Sequence, residues 1–283
     1  MNKLNLFKSS GCDSVTNICL FEELLRAGAA DCDVLFIHSS MNIGIPNLTL
    51  GRTGLFSEIW NVLLKLKVPT ICVPTFTFSF PNGVDYDIAH SPTPMGALNE
   101  YVRRLPETTR STDPIMSVAL VGKEDYLIKD IGKYSCGPGS TFDLLHRRKG
   151  GVKFLFLGVR CFECFTFTHF VESEKSVPFR YHRPFTGKIH QERKVIEDTY
   201  YHYARYNGVK ATSDDKFERY LESTGRITKS RLGDSWMSIV DEEQGYVAMK
   251  ECLEKDPFYL AAKAYDPSEL ADSRFLEQNI TTL

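Results

Sequence analysis

Lys153-Phe-Leu-Phe-Leu-Gly158, with Thr166-Phe-Thr-His169-Phe-Val-Glu172 close behind it, is the stretch on which the fold and the chemistry both turn. The first segment is a short apolar run closed by glycine, the pattern of a strand buried in a sheet. The second is predicted to open a helix. On a helix, positions 166, 169 and 172 lie on one side, three residues apart. That side carries a hydroxyl, an imidazole and a carboxylate. A carboxylate behind an imidazole orients the ring and stabilises its charged form, so the pair can accept a proton near neutral pH. The competing reading is a helix whose polar face holds His and Glu with no chemistry attached.

Working outward, helical and strand-like segments alternate. Helices are predicted over Ile18–Ala27, Leu55–Lys65, Met95–Arg104 and Ser140–His146, with Gly28 as a stop and Ser140 or Gly139 as a cap. Strands are predicted over Asp33–Ile37, Thr70–Thr75, Ile115–Val121 and Lys153–Leu157. The alternation through residue 173 predicts an α/β fold, a central and mostly buried sheet sandwiched by helices. Beyond Val177 the chain becomes more polar. Glu192 to Tyr206 reads as a polar helix rich in Tyr and His, and residues 212–224 and 241–254 as two more. The C-terminal third is therefore expected to be polar and helical. No repeat or linker interrupts the chain, so residues 1–283 are read as one domain. Within it, 1–175 forms the cofactor-binding and catalytic core and 176–283 a substrate-facing portion.

The 283 residues are 42% hydrophobic, enough for a substantial core. A net charge of −2 and a pI of about 6.4 do not suggest a nucleic-acid partner. No apolar run approaches the length of a membrane span, and the N-terminus lacks the apolar core of a signal peptide, so a cytoplasmic protein without membrane insertion is expected. Eight cysteines, several in apolar surroundings, suit reduced and buried thiols. Cys161-Phe-Glu-Cys164 with His169 nearby makes a zinc or redox site formally possible. There is no second C-x-x-C and no H-x₃₋₅-H pair, and no metal is expected.

Four loops at strand or helix ends are rich in hydrogen-bonding groups: His38-Ser39-Ser40, Thr75-Phe-Thr77, Arg110-Ser111-Thr112-Asp113-Pro114 and Gly137-Pro-Gly139-Ser140. Ligands collect at such loops in open α/β sheets, where hydroxyls and free N–H groups hold a phosphate or a polar chain. Each loop alone is commonly just a turn. Taken in order, they resemble one family. The chain is similar to the aminoglycoside 3-N-acetyltransferases, which are unrelated to the GCN5-type acetyltransferases. The resemblance rests on Phe36-Ile-His38-Ser39-Ser40, Pro74-Thr75-Phe76-Thr77, Tyr86-Asp87 with Ser91-Pro92, Met95-Gly96-Ala97-Leu98 and Arg110-Ser111. It continues through Gly137-Pro138-Gly139-Ser140, Leu157-Gly158 and Thr166-x-x-His169-x-x-Glu172, spanning roughly residues 20–175 in colinear order.

The resemblance implies transfer of an acetyl group from acetyl-CoA to an amine, with His169 and Glu172 at the catalytic positions. It implies CoA contacts near Ser39, Ser40, Arg110 and Ser111, within a cofactor-binding set that also takes in His38 and Thr75. Thr166 is a candidate donor to the thioester oxygen, or a helix cap. Many aminoglycoside-modifying members have Ser-x-His-Pro where this chain has Ser111-Thr-Asp113-Pro114. That departure, and the basic Val177-Pro-Phe-Arg-Tyr-His-Arg183, speak for an acceptor other than a polycation. Asp87, Asp113, Arg180 and Arg183 are the candidate substrate contacts, the arginines meeting a pyrophosphate while tyrosines stack on a base. An ordinary strand with solvated arginines explains the same segment. The expected function is acetyl-CoA-dependent N-acetylation of an amino sugar, with a nucleotide-linked sugar of surface-polysaccharide synthesis preferred. The alternatives are aminoglycoside 3-N-acetylation, a non-catalytic CoA- or nucleotide-binding module, and a zinc hydrolase built on Cys161, Cys164 and His169.

Overall fold

The computed structural model describes residues 1–11 and 13–271. The chain opens with β1 (Asn5–Lys8) and β2 (Ser14–Thr16), an antiparallel pair, and enters α1 (Asn17–Arg26), whose cap Thr16 accepts from the Cys19 amide. Then come β3 (Val34–Ser39), β4 (Ile45–Pro46), α2 (Gly51–Leu64), β5 (Thr70–Pro74), β6 (Tyr86–Asp87) and α3 (Ala97–Arg103). They are followed by β7 (Thr109–Arg110), β8 (Val118–Gly122), α4 (Tyr126–Lys129), α5 (Thr141–Arg147), β9 (Val152–Leu157), α6 (Cys161–Cys164) and α7 (Thr168–Glu174). The last third holds β10 (Arg180–Gln191), β11 (Lys194–Arg205), α8 (Lys216–Ser223), β12 (Thr228–Leu232), β13 (Ser235–Asp241), α9 (Glu242–Lys255) and α10 (Pro267–Ala271).

Seven strands make the central sheet, in the order β12-β13-β9-β3-β5-β8-β7. Its middle, β9-β3-β5, is parallel, and the strands on either side are antiparallel. The apolar runs at 34–37 and 154–157 are continuous because helices cover both faces of these strands. Alternation along each strand divides the core in two. Phe36, Phe154 and Phe156 pack with Phe142, Phe167 and Met249 on the face covered by α5, α7 and α9. Leu35, Ile37 and Leu155 pack with Leu24, Ile59 and Leu98 on the face covered by α1, α2 and α3. The expected sandwich is present, with all four predicted strands and all five predicted helices of the first 175 residues in place to within a few residues.

The segment read as a helix over Glu192–Tyr206 is instead a strand. β10 and β11 form a long antiparallel hairpin from Arg180↔Arg205 to Gln191↔Lys194, with Glu192 and Arg193 as its turn. Thr, Val, Ile and four tyrosines and histidines make this sequence a strand former, since β-branched and aromatic side chains fit a pleated surface. The Tyr200 and Tyr203 rings are buried against the core. The hairpin also pairs with β6 (Ile189↔Tyr86), which ties the last third of the chain to the first. Helices α8 and α9 do occur where the other two were expected. β12 and β13 add two strands to the main sheet beyond β9.

Candidate active site

A cavity of about 750 Å³ opens at the carboxyl ends of β3, β5 and β9, the position at which ligands enter open α/β sheets. His38 and Ser39 reach it from the end of β3, Pro74 and Phe76 from the end of β5, and Val159 from the end of β9. Two glycines let backbones crowd together at this rim. Gly158 has φ +72°, and a Cβ there would stand 2.1 Å from the Ser40 carbonyl oxygen. Gly96 has φ +115°, and a Cβ there would stand 2.9 Å from the Ser39 carbonyl oxygen. Any other residue would push the strand-end loops apart.

His169 and Thr166 form part of the cavity wall. The helix begins at Thr168, so Thr166 sits in the turn before it rather than on its first face. The Thr166 hydroxyl is buried and has no hydrogen-bond partner among the described residues. His169 and Glu172, one turn apart on α7, meet at 2.6 Å between Nδ1 and Oε2. With Nδ1 held by the carboxylate, Nε2 is the nitrogen left for the cavity. Glu172 is fully buried, and the same Oε2 is 3.0 Å from Arg180 Nε. Desolvation pushes the Glu172 carboxyl upward, but Arg180 and His169 outweigh it and hold the group ionised. Burial first, and the Arg180 charge second, depress the His169 imidazole below its ordinary range. The ring is therefore neutral at physiological pH and free to take a proton.

His38 lies under the same cavity, stacked on Phe156 with ring centroids 5.2 Å apart. Burial lowers its pKa to about 3, and its Nε2 has no partner among the described residues. Ser39 donates its hydroxyl to Asn99 Oδ1 at 2.9 Å, and Asn99 is fixed in turn on the Pro74 and Met95 carbonyls. Ser40 donates its backbone N–H to the Leu157 carbonyl, and its side chain is not part of the wall.

Several expected ligand contacts lie elsewhere. The Arg110 side chain is buried and spent on the protein: Nε donates to Thr75 Oγ1, Nη2 to the Thr75 carbonyl, and Nη1 to the Ile88 and Ser91 carbonyls. Thr75 is fully buried, with its hydroxyl also donating to the Ser117 carbonyl. The Ser111 hydroxyl accepts from the Val118 amide. Asp113 accepts from the Ile115 and Met116 amides and from the Ser135 hydroxyl. These four residues knit the strand-end loops together beneath the cavity. Asp87 lies near the surface and caps the turn at Ala89 and His90. Arg180, expected to meet a pyrophosphate, also lines the cavity, but its guanidinium is engaged by Glu172 and by the Tyr203 carbonyl. Arg183 does stand on the cavity wall, with its guanidinium 4.9 Å from the Phe185 ring centre.

His202 and Arg205 on β11 also line the cavity, and sequence reading missed both because it placed them on a polar helix. The aromatic and β-branched content of 195–203 was the signal that could have shown them to lie on a strand. Cys161 and Cys164 are free thiols. Burial raises both, and no group of three or more His, Cys, Asp or Glu side chains suited to a metal occurs among the described residues. Cys12 lies outside the described residues.

No curated protein matches the sequence. Several solved structures do match in fold. A histidine-to-alanine variant of aminoglycoside acetyltransferase AAC(3)-IVa in complex with a gentamicin is 22% identical, with 97% of this chain and 98% of that one covered and a TM-score of 0.69. The AAC-IIIb binary complex with CoASH is 19% identical, with 84% and 96% covered and a TM-score of 0.69. The YokD protein from Bacillus subtilis is 18% identical, with 85% and 93% covered and a TM-score of 0.69. The family model described as aminoglycoside 3-N-acetyltransferase matches residues 67–254, from before β5 to within α9 and across both walls of the cavity. The chain belongs to the aminoglycoside 3-N-acetyltransferase family.

Proposed function

We propose that the protein transfers the acetyl group of acetyl-CoA to the amine of an amino sugar, the class of compound that includes the aminoglycosides, with His169 as general base. The observation that carries this reading is the His169–Glu172 pair at the cavity wall: a neutral imidazole with one nitrogen fixed by a buried carboxylate and the other available. Membership of an acetyltransferase family supports the reaction type, and the CoASH-bound relative supports acetyl-CoA as co-substrate. The relative in complex with a gentamicin makes an aminoglycoside the first acceptor to try. The nucleotide-linked reading loses one of its two arginines, since Arg180 already has a carboxylate.

In this mechanism the amine nitrogen attacks the thioester carbonyl carbon. The C–N bond forms and the C–S bond breaks, the amine proton passes to His169 Nε2, and CoA leaves as the thiolate that is then protonated. Glu172 stabilises the imidazolium as it forms. Thr166 is placed among the proposed groups as a hydroxyl with a donor to spare, suited to the carbonyl oxygen as it gains charge. His38 and Ser39 are proposed to border the bound thioester arm. Transfer is direct, with both substrates bound. Cys164 is on the cavity wall, but burial pushes its thiol far above the reactive range.

The test combines mutation with initial-rate kinetics over a panel of aminoglycosides and simple and nucleotide-linked amino sugars. His169→Ala is expected to lose about 10²–10⁴ in kcat, Glu172→Gln less, and double-reciprocal plots to intersect. A His169→Ala enzyme near full activity, or parallel lines with a trapped acetyl-cysteine, rules the mechanism out.

A further inference from the structure

The hairpin places like charges opposite one another at the wall of the cavity. Arg180 and Arg205 are direct cross-strand partners, and Arg183 faces the neutral His202 three pairs along. Directly opposed like charges destabilise a sheet unless something neutralises them. Arg180 is neutralised by Glu172. Arg205 and Arg183 are not: neither makes an ion pair among the described residues, although both line the cavity and both are half-buried. Two carboxylates belong to the wall, and neither pairs with Arg183 or Arg205. Glu163 Oε2 accepts from the Arg160 amide, and Asp214 pairs with Arg219 at 2.8 Å. The imidazoles of His169 and His202 share the wall but are neutral there, so Arg183 and Arg205 are the cations of the wall that no ion pair among the described residues neutralises. Burial and the Arg180 charge together depress Arg205, and burial and the same arginine depress His202.

We infer that the acceptor carries an anionic substituent, a phosphate or carboxylate, which Arg205 binds at the cavity wall. This rests on the acetyl-transfer reading above and narrows its substrate: the acceptor is an acidic amino sugar rather than a bare polycation. A guanidinium takes two oxygens of a phosphate or carboxylate at once and loses less on leaving water than an ammonium does. A polycation would meet two unpaired arginines there. The phosphates of acetyl-CoA offer the same chemistry, but the pantetheine arm separates them from the thioester. Arg205 shares the cavity wall with His169, the proposed base, beside which the thioester rather than the phosphates would have to lie.

The experiment compares glucosamine with glucosamine 6-phosphate, by calorimetric binding to the CoA-saturated enzyme and by initial rates with acetyl-CoA. The wild-type protein is expected to bind the phosphorylated sugar at least about tenfold more tightly, the range of a charge-assisted contact. In Arg205→Gln that ratio falls toward one, Arg205→Lys keeps part of it, and the KM for acetyl-CoA stays within about twofold of wild type. Thermal melting of Arg205→Gln serves as the folding control and is expected at or above the wild-type midpoint, because an unpaired charge opposite Arg180 is removed. Equal affinity for the two sugars, including binding of neither, overturns the inference. So does a rise confined to the KM for acetyl-CoA, which would assign the cation to the CoA phosphates. Tight, Arg205-dependent binding of the phosphorylated sugar without acetylation would leave the anion site standing and sink the acetyl-transfer reading instead.

Discussion

Arg110 illustrates what a residue type can and cannot say. An arginine in a polar loop at a strand end suits a phosphate, and the colinear match to the family pointed the same way. What decides its role is where the guanidinium points, and that depends on loops brought together from residues 75, 88 and 91. Sequence order carries no trace of that convergence. Asp113 is similar, since its two amide donors are local but its Ser135 partner comes from another loop. His169 and Glu172 were legible because both are on one helical turn, where spacing alone fixes neighbours. Arg180, the third member of that ion cluster, was not. The expectation for Arg110→Ala follows from its contacts. Three carbonyls and the Thr75 hydroxyl lose their donor in the interior, so stability should fall by about 2–4 kcal/mol while the KM for acetyl-CoA changes little. A denaturant titration beside a saturation curve measures both. A large KM change with unchanged stability would return Arg110 to the cofactor.

At the scale of elements, the β10–β11 hairpin is both the largest misreading and the largest contributor to one wall of the cavity. The polar, tyrosine-rich run at 194–205 fits a helix by composition, because its charged residues can face water on either element. Its β-branched and aromatic members favour a strand, and the pairing with β10 decides the matter through contacts that composition does not contain. The hairpin is held against the body of the protein at Gly187. A Cβ there would meet the Phe80 ring at 2.8 Å, and Phe80 is itself buried. Gly187→Ala should therefore shift the hairpin or the ring, with a cost of about 1–3 kcal/mol in stability. Because Arg183, His202 and Arg205 ride on the same two strands, the substitution should raise the acceptor KM more than the acetyl-CoA KM. A variant that melts like the wild type and binds acceptor normally would show that the ring yields without moving the wall.

For the whole molecule, we propose that the two halves fold as one cooperative unit. β13 completes the main sheet beside β9, and the cavity takes its walls from residues before and after 176. The same cavity buries imidazoles that the unfolded chain would leave exposed. His38 and His202 are each lowered to about 3, chiefly by desolvation, whereas an exposed imidazole titrates near 6.5. Between those limits the unfolded chain holds protons that the folded protein does not, so stability must fall as pH falls. The slope is up to about 1.4 kcal/mol per pH unit for each such group. Glu172 works in a lower window. Its depressed pKa gives a contribution that is fully present above the ordinary carboxylate value and is lost only as pH drops through the folded value. The loss of stability should therefore begin near pH 6.5, above the window in which Glu172 titrates. Denaturant unfolding at pH 7.5, 6.0 and 5.0 is expected to give a single transition whose free energy declines over that range. His38→Phe, which keeps an aromatic ring stacked on Phe156 but cannot take up a proton, should flatten the decline by one proton's worth. A wild-type stability that stays level from pH 7.5 to 5.0, or a decline that His38→Phe leaves untouched, would mean that the His38 imidazole is not held neutral in the fold.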